Sequence, residues 1–269
     1  MATVAEILHE ALDAGGRVLR RYGNGGAAKD VRHKDEINLV TAADLESERE
    51  IVAIIRRAFP DHAILTEESG EVTGDTAGEG PVWVIDPLDG TTNFAHGFPI
   101  YCVSIGYLEN GMPVAGGVYD PTRNELFFAE RGKGATLNGN SISVSASVPL
   151  ERALLATGFP YDIKTSSENN LDLFFAFALR AQAVRRAGSA ALDLCYLACG
   201  RFDGFWELKL HPWDTAAGWL LIEEAGGFVS DFAGAPFEIF KRECAAANSG
   251  VLLGEILEVI SRTRERQGE

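Results

Sequence analysis

The densest chemistry in the sequence lies in residues 83–94, WVIDPLDGTTNF. An apolar run ends in Asp86, and Pro87, Leu88, Asp89, Gly90, Thr91 and Thr92 follow. Pro87 stiffens the exit and has no backbone donor. Gly90 permits a tight turn and close approach by a ligand. The two threonines bring hydroxyls and backbone N–H groups. Carboxylates three residues apart on such a turn can face one pocket, where like charge is unfavourable unless a proton or a cation offsets it. Hard oxygen donors, to which the Leu88 carbonyl could add, suit Mg²⁺ or Mn²⁺ better than zinc. For this segment alone, a turn bearing two solvated acids is an equally good account.

Other acids stand in comparable places. Glu67 and Glu68 follow the apolar run Ala63 to Thr66, and Asp214 follows His211-Pro212-Trp213 at a helix start. Taken singly, these are an exposed acidic loop and a helix N-cap. Taken with DPLDGTT, they form a candidate metal cradle, because ligands of α/β sheets gather at strand ends. No His/Cys cluster competes for the metal. Cys102, Cys195, Cys199 and Cys244 lack zinc spacing and are expected to be free thiols in a reducing compartment. The motif RGKG at 131–134 lacks P-loop spacing and reads as a hairpin turn.

The elements that must position these groups follow from periodicity. A helix is expected from Thr3 to Tyr22, opened by a Thr3/Glu6 capping box and stopped at Gly23. A second runs from Ala42 to Phe59, with Thr41 as its N-cap and Asp44 in its first turn. Strands are expected at 63–66 and 82–85. A β-rich meander follows from Tyr101 to Ser145, with hairpins at Asn110-Gly111 and Asn138-Gly139. Beyond Pro149 the pattern alternates: strands at 153–158, 183–186 and 204–207, helices at 170–181, 189–199, 214–225 and 255–264. The whole is read as one α/β domain, with lobes of about 1–148 and 149–269.

The 269 residues carry 24 Lys and Arg against 39 Asp and Glu, a formal charge of −15. That balance argues against nucleic acid as a bulk electrostatic partner. The N-terminal segment has no signal-peptide pattern and no apolar run reaches the ~20 residues of a membrane span. A cytoplasmic protein with no membrane partner is expected.

Three blocks, LTEESG around Glu67, WVIDPLDGTTNFAHGFP from Trp83 and HPWDTAAGWLLIEEAGG from His211, make the chain resemble the inositol monophosphatase family. The likeness extends over nearly the whole sequence. It implies an alternating α-β-α-β-α sandwich of the type shared with fructose-1,6-bisphosphatase, assembled as a homodimer. It implies two or three Mg²⁺ ions, with Mn²⁺ as a substitute. Glu67, Asp86 and the Leu88 carbonyl would hold one, Asp86, Asp89 and Asp214 would share another, and a third, mostly hydrated, would sit near Glu67. Thr91 with Asp44 would orient the attacking water, and Glu68 would support from behind. Phosphate would meet the N–H groups of Gly90 and Thr91, beside Asp89 and Thr92. Gly188, Ser189, Ala190 and Glu207 would contact a polyol, and Lys34 would approach from a loop. Asn38 departs from the family, standing where many members carry an acid. The activity implied is Mg²⁺-dependent, lithium-sensitive hydrolysis of myo-inositol monophosphate. Fructose 1,6-bisphosphate, histidinol phosphate and adenosine 3′,5′-bisphosphate are the alternatives, and a non-catalytic regulatory protein is a reading from another class.

Overall fold

The computed structural model describes residues 2–24, 32–33, 39–73 and 80–266. Lys34 and Asn38 therefore lie outside the described residues. Helix α1 (Val4–Asn24) opens with the expected box: Thr3 N–H donates to Glu6 Oε2 at 2.8 Å and Glu6 N–H to Thr3 Oγ1 at 3.2 Å. It runs through Gly23 instead of stopping there. The helix glycines serve packing, since a Cβ on Gly16 would lie 2.3 Å from the Tyr119 ring. The short strands β1 (Arg32–His33) and β2 (Leu39–Val40) pair antiparallel ahead of α2 (Ala42–Ala58).

Strands β3 (Ala63–Thr66), β4 (Gly70–Thr73) and β5 (Val82–Asp89) follow, then the short helix α3 (Thr91–Ala95). The meander comprises β6 (Cys102–Glu109), β7 (Met112–Asp120), β8 (Glu125–Glu130), β9 (Gly134–Leu137) and β10 (Asn140–Ser141). Its hairpins fall at the two Asn-Gly pairs, whose four residues all have positive φ, as the turns of tight hairpins require. RGKG is indeed the β8–β9 turn. Together these strands make an eight-stranded sheet in the order β10-β9-β8-β7-β6-β5-β3-β4.

The chain then builds β11 (Leu154–Ala156), α4 (Leu171–Ala178), β12 (Ala183–Arg185), α5 (Ala190–Ala198), β13 (Gly204–Leu208) and α6 (Pro212–Glu224). It ends with β14 (Phe228–Ser230), β15 (Glu243–Ala247) and α7 (Gly250–Glu265). These strands form a second sheet, ordered β12-β11-β13-β15-β14. The last helix starts five residues earlier than expected, because Ser249 caps Leu252 N–H and the helix tolerates Gly250 and Gly254.

Alternation along the strands defines the layers. Trp83 and Ile85 face α1 and α2, whereas Val82 and Val84 face α5 and α6. Phe205 and Ala246 of the second sheet meet that same central helix pair, while Trp206, Ala245 and Ala247 face α4 and α7. The order is thus α1/α2, large sheet, α5/α6, small sheet, α4/α7, the expected five-layer sandwich. Close approach of α6 to the large sheet depends on Gly106 and Gly116. A Cβ at Gly106 would lie 2.5 Å from Ala216 Cβ.

Candidate active site

The C-terminal ends of the parallel pair β3 and β5 open beside the N-termini of α2, α3 and α6. Here the sequence expectation needs one correction. The DPLD segment is not a turn beyond a strand ending at Ile85. β5 continues through Asp89 with a register shift against β6, pairing Asp86 with Ser104 and Asp89 with Cys102. In a regular strand, residues three apart point to opposite faces. The extra residue of the bulge reverses that alternation, so both carboxylates line one cleft.

That cleft has a volume of about 710 Å³ and is walled by Glu67, Asp86, Leu88, Asp89 and Asp214, with Gly90 and Thr91. The separated acids of the sequence therefore converge. Each is also held locally. Asp86 Oδ1 accepts from Leu88 N–H at 3.0 Å. Asp89 Oδ2 accepts from Ser189 Oγ at 2.6 Å and Ala191 N–H at 2.8 Å. Asp214, at the third position of α6, accepts from His211 N–H at 2.7 Å. Among the described residues, no three His, Cys, Asp or Glu side chains stand close enough to enclose an ion unaided.

Their electrostatics are unfavourable without a counter-charge. Burial, then the charges of Glu67, Asp89 and Asp214, push the Asp86 carboxyl well above its ordinary range. Burial raises Asp89 against its hydrogen bonds, and burial followed by Asp89 raises Asp214. Such a set of hard, mutually repelling oxygen donors fits a small divalent cation. Mg²⁺ keeps several waters and needs only one or two carboxylates of its own, so the spacing of these acids is compatible with it.

Thr91 opens α3 behind Gly90, whose φ of 93° is the left-handed conformation of an N-cap lacking a side chain. A Cβ there would meet Ile100 O at 2.9 Å. Thr91 Oγ1 lies 3.1 Å from Asp44 Oδ1 and 3.0 Å from Leu88 O, a donor position toward either. Asp44 is fully buried, capped by Thr41 N–H at 2.9 Å, and burial lifts its carboxyl to about 6. One turn further along α2, Ser47 Oγ donates to Pro87 O at 2.9 Å, fastening the bulge to the helix. Glu68 N–H donates to Glu48 Oε2 at 3.1 Å, and Glu68 lines neither this cleft nor the next.

A second space of about 390 Å³ shares Asp89, Thr91, Glu207 and Asp214 as walls. Thr92, Gly188, Ser189 and Ala190 line it. Ser189 is the N-cap of α5 and donates to Asp89. Glu207, nearly buried on β13, is lifted to about 8 by burial and then by Asp89. A Cβ on Gly158 would fall 2.2 Å from Glu207 Oε1, so a larger residue there would make this side chain shift.

Sequence reasoning missed four groups here. Gly158 follows the β11 run without any motif around it. Asn93 sits inside the quoted DGTTNF block, and its Nδ2 donates to Ile100 O at 2.8 Å and Ala187 O at 2.9 Å, tying the α3 turn to the loop before α5. Asp193 and Arg186 flank Gly188, Ser189 and Ala190 and line the second space. Proximity to the motifs was the available signal for those three.

Two layered sheets and an acidic cleft beside the α3 turn are the features of a phosphatase. A profile of the inositol monophosphatase family matches residues 1–265, and the chain belongs to that family. It is 44% identical over 265 residues to an inositol-1-monophosphatase of Synechocystis sp., covering 98% of this chain and 90% of that protein. It is 48% identical over 221 residues to the Nus factor SuhB of Pseudomonas aeruginosa, covering 81% and 82%. The solved inositol monophosphatase from Anabaena (Nostoc) superposes with a TM-score of 0.86 at 44% identity, covering 95% of this chain and 94% of the other. Among the described residues no helix is long and apolar enough to cross a membrane. All four cysteines are free thiols.

Proposed function

We propose that this phosphatase hydrolyses myo-inositol monophosphate to inositol and phosphate, with Mg²⁺ held by Glu67, Asp86, the Leu88 carbonyl, Asp89 and Asp214. The observation that carries the metal is the convergence of Glu67, Asp86, Asp89 and Asp214 on one cleft, where burial and their like charges push the Asp86 carboxyl upward. Bound there, the ions would supply a polarised phosphoryl group, an activated water and stabilisation of the leaving oxygen.

The protein's own groups do the rest. Asp44 draws the Thr91 proton toward itself, which leaves a Thr91 lone pair to accept from water and aim it at phosphorus. The N–H groups of Gly90 and Thr91 open α3 and offer donors to phosphate oxygens. Asp89 and Asp214 flank the entrance to the second space, where Glu207 accepts from the hydroxyls of the polyol. Glu68 acts from outside the cleft, through the loop that carries Glu67. We read the active assembly as a cytoplasmic homodimer, inhibited by lithium.

The test is phosphate release with and without Mg²⁺ across inositol, fructose, histidinol and nucleotide phosphates. Preference for the inositol ester supports the reading, and preference for a nucleotide bisphosphate overturns it. A second reading, a regulatory protein acting through a macromolecular partner, draws on the relatives named Nus factor SuhB. As a sole function it predicts a broken acidic set, and Glu67, Asp86, Asp89, Thr91 and Asp214 are all present. Capture of partners from lysate by a variant without phosphatase activity separates the two roles.

A further inference from the structure

Asp193 lies in the first turn of α5 with 1% of its surface exposed, and its Oδ1 has no hydrogen-bond partner. It lines the second space together with Glu207, Gly158 and Arg186. A buried carboxylate oxygen left without a donor is unfavourable unless something in the functional state supplies one. The start of α5 offsets part of that charge through its dipole but does not satisfy the oxygen, because the helix N–H groups nearest it are engaged elsewhere: Ala191 with Asp89, Leu192 with Ser189. Arg186, on the loop before α5, exerts an attractive field on both Asp193 and Glu207.

Resting on the polyol-phosphate reading above, we propose that Asp193 is a second specificity-determining carboxylate, which accepts from a substrate hydroxyl different from the one accepted by Glu207. The two acids approach the same space from different elements, α5 and β13, so they can address different positions on one ring. Ionised or protonated, each carboxyl keeps an oxygen that can accept from a hydroxyl. The ligand class is thereby narrowed to a phosphate monoester with at least two free hydroxyls on the carbon skeleton beyond the ester. A substrate lacking them leaves Asp193 unsatisfied and gains nothing from this wall of the site.

The experiment compares wild type and Asp193→Asn on three Mg²⁺-loaded reactions: an inositol monophosphate, its singly deoxygenated analogues, and phenyl phosphate, which has no hydroxyl. On wild type, two separate hydroxyl deletions should each lower kcat/KM about tenfold to a hundredfold, the range for a hydrogen bond to a charged group. Asp193→Asn should lose a similar factor on the inositol ester, chiefly through KM, and at least tenfold less on phenyl phosphate. One deoxy analogue should then show no further loss with the variant, while the Glu207-dependent one still does. The wild-type series needs no variant, so a poorly folding Asp193→Asn leaves the proposal exposed to refutation. It is overturned if no more than one hydroxyl matters to wild type, if the variant loses equally on both esters, or if every deoxy loss persists in the variant. Wild type that releases phosphate from neither ester overturns the polyol-phosphate reading itself, and a wild type active only on phenyl phosphate overturns the hydroxyl assignment while sparing the phosphatase.

Discussion

Replacing Glu207 with glutamine should make the metal-free protein more stable at neutral pH. Burial and the neighbouring Asp89 charge lift the Glu207 carboxyl to about 8, from 4.5 in the absence of the fold. The native state therefore holds this proton longer than the unfolded chain does. Stability from this group is greatest below the unfolded value and falls as pH rises through the window between the two. Integrating the linkage, Glu207 weighs against folding by about 4 kcal/mol at about pH 7.5 and by about 1 kcal/mol at about pH 5. Relaxation of the cleft and entry of water lower both figures, so the difference of about 3 kcal/mol is a ceiling. For a chain of this size it corresponds to roughly 5–10 °C in melting temperature. Glutamine fills the same volume and accepts from the Gly158 backbone without carrying charge. In chelator, Glu207→Gln should melt above wild type near neutral pH, and the gap should close on acidification. Parallel melting curves of the two proteins across that pH range would refute the electrostatic account of this carboxyl.

Further expectations follow from the same geometry. Asp86→Asn and Asp214→Asn should stay folded and lose on the order of 100-fold or more in Mg²⁺-dependent phosphate release, checked by turnover and circular dichroism together. Thr91→Ala removes the hydroxyl between Asp44 and Leu88 and should lower kcat by about 10²–10⁴ with little change in KM, measured by steady-state kinetics. Gly158→Ala should raise KM for polyol esters, because the new methyl occupies the seat of Glu207 Oε1; an unchanged polyol KM would count against that seat. Added Mg²⁺ should raise the melting temperature, and more so near pH 8 than near pH 5, since the acids it would engage must first shed protons.

Much of this arrangement was legible before any coordinates, for local reasons. Helix α2 carries its own start signal in Thr41 and Asp44, which cap each other across three residues. Asn110-Gly111 and Asn138-Gly139 carry their turn chemistry in the dipeptide itself. What failed depended on partners distant in sequence. Strand β15 is mostly alanine, a poor strand former, and exists because β13 and β14 pair with it on either side. Strand β14 follows two glycines and has the same dependence. Gly23 read as a stop signal, yet α1 passes through it; a Cβ there would lie 2.9 Å from the Tyr101 hydroxyl, a contact no local pattern contains.

The site divides in the same way. Asp86 and Asp89 were identifiable as candidates from residue type and spacing, but their common orientation comes from a bulge set by pairing with Ser104 and Cys102. Asp214 reaches them because α6 lies against β6 and β7, where Gly106 and Gly116 admit its backbone. An acid sequence spacing can nominate is thus delivered by Gly106 and Gly116, far away in the chain. The consequence is that the acids are held apart as well as together: Asp89 by the α5 cap, Asp214 by its own helix start, Asp86 by the Leu88 amide. Anchors of this kind keep like charges from scattering outward when no cation is bound, and they leave each carboxylate a second oxygen for one. An ion entering the cleft would then act on a frame already built, so its binding should stabilise the fold with little change in backbone structure. Hydrogen exchange that collapses across β5 and α6 on chelation would show instead that the ion builds the frame.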